Sequence, residues 1–235
     1  MTSTGRVLLS VLHRYERERY GNQACQRLDV RRPRKGAGPH PAVVRLHGGS
    51  GSRRYGKGVM SFVSADLVRR GFVSVNAEYR RVGLGGGYPE TLDDAVAATR
   101  WANERFEDVT LLGHSAGGQL ALYAASKVPV RRVVAMAAPC DLRRGHGPMV
   151  HAFLGGTPAQ VPDRYAVASP VELAPLGVPT LLVHGVNDAT VSVEHSRRYA
   201  HAAGEEAELR ELPDAIHRSF VDPRTAAWEA AASWL

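Results

Sequence analysis

The sequence predicts an α/β fold with a mostly parallel central sheet and helices on both of its faces. Short apolar runs of strand length alternate along the chain with longer segments whose apolar residues recur at helical spacing. Glycine and proline mark many of the boundaries between these segments. The chain has 235 residues, of which 44% are hydrophobic and 23% charged, a balance that suits one α/β domain with a large core.

Strands and helices alternate from the first third of the chain onward. The first half predicts strands over 24–30, Ala42–Leu46, 72–77 and 109–112, and helices over 59–70, 89–103 and 116–127. Phe62, Val63 and Leu67 are spaced for one helix face, and Gly71 follows as a C-terminal glycine should. The second half predicts strands over 132–138, 180–184 and Ala207–Leu212, and helices over Glu194–Ala203 and 225–235.

The connection between residues 139 and 179 is unusually long for a compact domain. It contains the pair Gly155-Gly156 and many prolines. Loops of this length usually cover or form a binding site. We therefore predict a small lid over about residues 140–178, with one or two short helices, in a single domain that spans residues 1–235.

The composition argues against several classes of protein. The net charge is +7, but the arginines occur as scattered pairs and accompany no nucleic-acid-binding motif. No stretch is long and apolar enough to cross a bilayer. Cys25 and Cys140 have the spacing of neither a disulfide framework nor a metal site. We predict a cytoplasmic protein that binds neither nucleic acid nor membrane, and the oligomeric state is left open.

The most informative segment is Gly113-His114-Ser115-Ala116-Gly117, which has the pattern G-x-S-x-G between a predicted strand and a predicted helix. At such a turn a serine is held in a strained backbone with its hydroxyl exposed. Glycine is needed at both ends because a Cβ would crowd the crossing of helix and strand. The helix N-terminus also directs free N–H groups toward charge that develops near the serine. Ser115 is the predicted nucleophile.

A nucleophilic serine needs a general base, and the base needs an acid that orients it. His217 lies just beyond the last predicted strand, and Asp188 is the only carboxylate in the loop over 184–191. Both loops open at the carboxyl edge of the sheet, where Ser115 also emerges. Asp188 has a simpler alternative role as a turn aspartate that caps the next helix. Asp214 is a poorer acid because it precedes His217 by only three residues.

The other histidines are predicted to have structural or surface roles. His47 in a glycine-rich turn and His184 at a strand end are predicted to be structural hydrogen-bonding groups. His114 is predicted to point away from the neighbouring serine. The remaining histidines are predicted on loops or helix surfaces, in contact with solvent: His13, His40, His146, His151, His195 and His201.

The glycine-rich turn after the strand Ala42–Leu46 predicts an oxyanion hole. A tetrahedral intermediate needs two or three fixed donors, each worth about 3 kcal/mol of barrier. We predict that the backbone N–H groups of Gly49, Ser50 and Ala116 supply them.

The same region permits a competing interpretation, because residues 51–58 nearly fit the phosphate-binding pattern G-x-x-x-x-G-K-[ST]. Gly58 lacks the hydroxyl that would bind Mg²⁺, so nucleotide binding is the weaker alternative.

Four stretches together resemble the α/β-hydrolase superfamily, and within it the small esterase and prolyl-oligopeptidase-like branch that includes kynurenine formamidases. They are His47-Gly48-Gly49, Glu78-Tyr79-Arg80-Arg81, residues 113–118, and His184-Gly185 with Asp188 followed by His217. The resemblance covers about residues 20–235. It implies the α/β-hydrolase fold, a triad of Ser115, Asp188 and His217, and an oxyanion hole formed by Gly49, Ser50 and Ala116.

The sequence departs from that family at identifiable positions. Ser50 stands where a third glycine or an aromatic residue is frequent, and Ile216 stands where a glycine commonly precedes the histidine. The N–H of Ser50 is retained, so the predicted oxyanion hole is unaffected. A serine nucleophile in place of cysteine separates the chain from dienelactone hydrolases.

These observations predict a serine hydrolase that cleaves a carboxylic ester or related acyl bond of a small molecule, without metal or organic cofactor. The same triad serves an arylformamidase, a thioesterase or a small peptidase, and these stay open as alternatives. A different class of alternative is a non-catalytic member that only binds ligands. Arg53 and Arg54 are candidates for holding an anionic substrate group, with a solvated pair of loop residues as the favoured alternative. Cys140 is a candidate for lining the acyl pocket, with filling a gap under the lid as the alternative.

Overall fold

The computed structural model describes residues 15–34, 39–49, 55–144 and 147–235. Over these residues the main sheet has eight strands in the spatial order β1-β2-β4-β3-β7-β8-β9-β10. Their bounds are β1 Glu16–Arg19, β2 Arg27–Arg31, β3 Ala42–Leu46, β4 Val73–Ala77, β7 Val109–His114, β8 Arg132–Met136, β9 Thr180–Gly185 and β10 Ala207–Leu212. β2 pairs antiparallel with both β1 and β4, and the remaining neighbours are parallel. β5 (Arg81–Val82) and β6 (Gly85–Gly86) form a separate small ladder.

Helices follow most of the parallel strands. They are α1 Ser61–Arg69, α2 Glu90–Asn103, α3 Ala116–Ala125, α4 Pro148–Leu154, α5 Pro162–Ala168, α6 Glu194–Ala203 and α7 Ala226–Ala232. Short 3₁₀ turns are formed by Lys57–Met60, Pro170–Glu172, Gly204–Glu206 and His217–Val221. No helix in the described part of the chain is long and apolar enough to span a membrane.

Both faces of the sheet are buried, as the apolar runs predict for parallel strands. Because side chains alternate along a strand, Val44, Leu111 and Leu182 enter one core cluster. Their sequence neighbours Val43, Leu112 and Leu181 enter the cluster on the other face. The first cluster is closed by α2, α3 and α6, and the second by α1 and α7. Each fully buried aliphatic side chain contributes about 1.5–3 kcal/mol, so the central strands are firmly held.

The predicted mostly parallel sheet with helices on both faces is confirmed, but β1, β5 and β6 were not predicted and several strand bounds differ. The strand predicted over 24–30 begins at Arg27, because residues 21–25 form bends and a turn. β1 was not predicted at all. Its sequence, Glu-Arg-Glu-Arg, is charged throughout and mostly exposed, so it carries no apolar alternation to detect.

The long connection after β8 contains the two short helices that were predicted, α4 and α5. The first of the following hydrogen bonds fastens it to the body of the protein, and the other two join its own beginning and end. Gln119 Nε2 donates to the Ala168 carbonyl at 2.8 Å, the Leu142 N–H donates to Ser169 Oγ at 3.1 Å, and the Val171 N–H donates to the Cys140 carbonyl at 2.9 Å. Leu154, Tyr165 and Ala168 are buried in the core, so the segment packs against the sheet layer.

Candidate active site

Ser115 occupies a sharp turn between β7 and α3. Its backbone has φ 55° and ψ −126°, a conformation that residues with a side chain rarely adopt. Such conformations cost about 1–3 kcal/mol and persist only where the surroundings impose them. Here the Ser115 N–H donates to the Met136 carbonyl at 2.8 Å, and the Ser115 carbonyl accepts from the Gly118 N–H at 2.8 Å. The predicted strained strand-to-helix turn is therefore confirmed.

Glycine is required on both sides of this serine for steric reasons. A Cβ at Gly113 would lie 2.0 Å from the backbone oxygen of Gly117. A Cβ at Gly117 would lie 2.0 Å from the backbone oxygen of Leu46, which ends β3. Both obstacles are backbone atoms and cannot rotate away. The motif thus allows α3 to cross close to two strands and leaves the serine at the sheet edge.

His217 and Asp188 are brought together from the loops after β10 and β9. His217 Nδ1 lies 2.8 Å from Asp188 Oδ2. The other carboxylate oxygen, Oδ1, accepts the N–H groups of Thr190 at 2.8 Å and Val191 at 3.1 Å. The Asp188 side chain is inaccessible to solvent, whereas 19% of the His217 side chain is exposed. Asp188 therefore fixes the turn and, with its second oxygen, orients His217.

The protonation of this pair follows from its contacts. Burial alone would raise the pKa of Asp188, but the hydrogen bonds from His217, Val191 and Thr190 outweigh it, and the pKa lies below its ordinary value. The ionised carboxylate then accepts the Nδ1–H of His217. Nε2 is left with its lone pair, as a general base requires.

The Ser115 hydroxyl and the His217 ring are not hydrogen-bonded to each other in this structure. His114, which precedes the serine, nevertheless contacts His217. The two imidazole centroids are 4.7 Å apart, and His114 Nε2 lies 2.7 Å from the His217 carbonyl oxygen. Catalytic hydrogen bonds are often long in unliganded enzymes and shorten when substrate binds. The contacts of His114 attach the loop of His217 to the end of β7, next to Ser115, although no hydrogen bond joins Ser115 and His217.

The loop after β3 lies directly against Ser115. A Cβ at Gly48 would lie 3.0 Å from Ser115 Cβ, and Gly49 has φ +128°, which only glycine adopts readily. Neither the Gly49 N–H nor the Ala116 N–H donates a hydrogen bond to any acceptor among the residues that the structure describes. These are two of the three donors that the sequence predicted. The third, Ser50, lies outside the described residues, as do Arg53 and Arg54.

A buried framework beneath this loop was only partly anticipated. His47 Nε2 lies 3.0 Å from Glu78 Oε1, and the Tyr79 hydroxyl donates to the His47 carbonyl at 2.5 Å. The rings of His47 and Tyr79 stack with centroids 4.3 Å apart. Glu78 also accepts the Lys57 N–H at 3.1 Å. The structural role predicted for His47 is confirmed; the role of Glu78 has no local sequence signal, because its partner is 31 positions away.

A cavity of about 250 Å³ opens beside Ser115. Apolar side chains from α3, from α4 and from the residues that follow β8 contribute to its wall: Leu120, Pro139, Leu142, Pro148, Met149, Val150 and Phe153. Ser115 and Ala116 also line this cavity.

Cys140 does not line the cavity beside Ser115. The structure places Cys140 in the core, fully buried, with Sγ 3.5 Å from the Ala138 carbonyl. Burial raises the pKa of that thiol, so we assign Cys140 to packing rather than to substrate contact.

Two further histidines are buried and act structurally. His184 has Nδ1 2.7 Å from Ser196 Oγ and Nε2 2.9 Å from the Val191 carbonyl, which confirms its predicted role. His195 was predicted at the surface, and this is wrong. It is only 5% exposed, and its Nδ1 accepts the Asp141 N–H at 3.2 Å, because α6 presents it to the base of the long connection. His13 and His146 lie outside the described residues.

The described residues contain no group of three or more histidine, cysteine, aspartate or glutamate side chains arranged to hold a metal ion. The described residues that meet beside the cavity include a serine, a histidine–carboxylate pair and backbone N–H groups without acceptors. The sequence did not reveal Gln119, which lines the cavity and ties α3 to α5. A glutamine inside a small-residue helix gives no distinctive pattern.

Two family models match the sequence. The serine hydrolase model matches residues 88–234, and the model called BD-FAE matches residues 28–132. A curated relative, the uncharacterized peptidase YtmA of Bacillus subtilis (strain 168), is 30% identical over 120 residues. That match covers 46% of this chain and 47% of the relative, so the chain matches only about half the length of that protein.

Solved structures of esterases share the fold. The bifunctional GH43-CE protein of Bacteroides eggerthii matches with a TM-score of 0.82 and 20% identity, over 95% of this chain but 38% of that protein. The esterase Est2 of the Planctomycetes species Thermogutta terrifontis matches with a TM-score of 0.76 and 21% identity, over 95% of this chain and 90% of the esterase. At these identities the similarity establishes the fold alone. Since the serine hydrolase model also spans more than half of the sequence, the chain belongs to the serine hydrolase family and has the α/β-hydrolase fold.

Proposed function

We propose that the protein is a serine esterase that hydrolyses small carboxylic esters through an acyl-enzyme on Ser115. The observation that carries the proposal is the 2.8 Å contact between His217 Nδ1 and Asp188 Oδ2, at the same sheet edge as the strained turn of Ser115. An oriented imidazole at the same sheet edge as a serine in a strained strand-to-helix turn is the arrangement that acyl transfer uses.

In the proposed reaction, Nε2 of His217 takes the hydroxyl proton of Ser115 as Oγ attacks the ester carbonyl. Substrate binding closes the contact between these two residues. Asp188 holds the ring and stabilises the imidazolium that forms. The N–H groups of Ala116 and Gly49 donate to the tetrahedral oxyanion. His217 then gives its proton to the departing alcohol. In the second half, His217 takes a proton from a water molecule that attacks the acyl carbon, the bond from that carbon to Ser115 Oγ breaks, the carboxylic acid leaves, and His217 returns the proton to Oγ.

The cavity sets the expected size of the acyl group. A cavity of about 250 Å³ is slightly smaller than the roughly 300–1,000 Å³ that is common for small-molecule sites. We therefore expect p-nitrophenyl esters of about four to eight acyl carbons to have kcat/KM values at least about tenfold above that of the dodecanoate, because a longer chain must leave its tail in water. Initial rates across the ester series measure this.

A matched pair of variants tests whether this cavity determines the preferred length of the acyl chain. Val150 of α4 lines the cavity, whereas Val167 of α5 is absent from its wall and is 37% exposed. Val150→Trp is expected to move the preferred ester toward acetate, and Val167→Trp is expected to keep the original profile. Equal profiles for Val150→Trp and the unmodified protein would exclude the cavity as the acyl site.

An acyl-substrate panel tests the ester assignment itself. Activated esters, thioesters, aryl formamides and aminoacyl arylamides are compared at equal concentration, and the arylamides are included because the curated relative is called a peptidase. Esters are expected to give the highest kcat/KM, with a pre-steady-state burst where deacylation is slow. Turnover of arylamides above that of matched esters would replace the esterase proposal with a peptidase, and no turnover of any acyl substrate would support the non-catalytic alternative.

A further inference from the structure

His114 is a buried titratable residue to which the proposed reaction gives no role. It ends β7 one position before the nucleophile and is 5% exposed. Its ring packs against His217, with centroids 4.7 Å apart, and against Phe220, with centroids 6.3 Å apart. On another side, a Cβ at Gly48 would lie 3.0 Å from His114 Nδ1. His114 therefore lies between the loop of the general base and the loop of the proposed oxyanion hole.

The contacts of this ring determine its tautomer. Nε2 lies 2.7 Å from the His217 carbonyl oxygen, an acceptor, so Nε2 carries the proton. Nδ1 is buried and has no hydrogen-bond partner in the described structure. Burial, assisted by the neighbouring His217 and His184, lowers the pKa of His114 to about 4, although the hydrogen bond to the His217 carbonyl and the charge of Asp188 act in the opposite direction. The ring is thus neutral, with a single donor, near neutral pH.

We propose that His114 is a positioning residue for catalysis, whose Nε2–H holds the His217 backbone at the register from which the imidazole reaches Ser115. This inference rests on the proposed function. His217 begins a short 3₁₀ turn, and Ile216 before it is half exposed. Asp188 fixes the ring of His217 but not its backbone. The hydrogen bond from His114 attaches that backbone to the same strand end that carries the nucleophile.

Three variants separate a donated hydrogen bond from simple packing. In His114→Gln the amide N–H₂ reaches the place of Nε2 and remains a neutral donor, whereas His114→Leu and the more adaptable His114→Met retain bulk without a donor. We expect the glutamine variant to keep kcat for p-nitrophenyl butanoate within about threefold. The leucine and methionine variants are expected to lose about 10- to 100-fold in kcat with KM within about twofold, since a small displacement of a catalytic group can cost that much.

For every variant, kcat is calculated per active site, and the concentration of active sites is measured by titration with a fluorophosphonate. Thermal unfolding is recorded for each variant as well. If leucine or methionine leaves kcat per titrated site unchanged, or if glutamine loses as much as methionine, the positioning role is overturned. Should leucine fail to fold, methionine decides. A failure of the esterase proposal would be distinguishable, because the unmodified protein would then neither turn over esters nor take up the titrant.

Discussion

Replacing Ser115 with alanine is expected to lower kcat/KM for p-nitrophenyl butanoate by about 10⁴- to 10⁶-fold, because the attacking oxygen is removed and only the remaining polar groups of the site can assist water. Ser115 lines the cavity with its backbone held by hydrogen bonds to Met136 and Gly118. Neither bond involves the hydroxyl, so the turn itself is expected to survive the change. Initial rates on purified protein measure the loss.

Thermal unfolding and a matched control separate chemistry from folding. At the backbone φ of 55°, an alanine side chain adds no strain beyond that which the serine side chain already causes. We therefore expect the unfolding temperature of Ser115→Ala to lie within a few degrees of the original. Ser126→Ala removes a hydroxyl at the opposite end of α3, where it donates to the Tyr123 carbonyl within its own helix end. Activity within about twofold is expected for that control. Retention of ester turnover by Ser115→Ala would show that another group is the nucleophile.

Replacing Asp188 with asparagine is expected to lower kcat by about 10⁴-fold. Oδ1 of Asp188 accepts two backbone N–H groups, so the asparagine oxygen will occupy that place and its N–H₂ will face His217 Nδ1. His217 must then accept at Nδ1 and carry its proton on Nε2, which removes the lone pair that accepts the Ser115 proton. Single-turnover rates at saturating ester measure the effect.

Asp214 supplies the control for this change. It is the carboxylate that lies nearest to His217 in sequence, and it is exposed. Asp214→Asn is expected to retain kcat within about twofold. Should Asp214→Asn be impaired while Asp188→Asn is not, the acid has been assigned to the wrong loop, and Asp188 is only a cap for its own turn.

Much of the site was predictable because its signals are local. The turn around Ser115 is specified by five consecutive residues, and two of them are glycines whose missing Cβ atoms allow the crossing of helix and strand. Asp188 and His217 could be located because parallel strands direct their following loops to one edge. The order serine, aspartate, histidine along the chain then left few other candidates for the acid and the base.

The parts that were not predicted depend on distant contacts. The contact of His47 with Glu78, the bond from Gln119 to α5, and the burial of His195 each join residues that no short pattern links. Cys140 was a candidate for lining the pocket, yet the fold places it in the core, fully buried. The charged strand β1 is held by backbone pairing with β2 rather than by an apolar face, and hydrophobic periodicity cannot detect such a strand.

Covalent labelling tests the central claim most directly. The unmodified protein is incubated with a fluorophosphonate, digested, and the modified peptide is located by mass spectrometry. The account predicts one phosphonyl group per chain on the hydroxyl of Ser115, slow labelling in Asp188→Asn, and none in Ser115→Ala or in heat-unfolded protein. A folded protein that takes up no label, or that carries it on a residue other than Ser115, would contradict the assignment of Ser115 as an activated nucleophile.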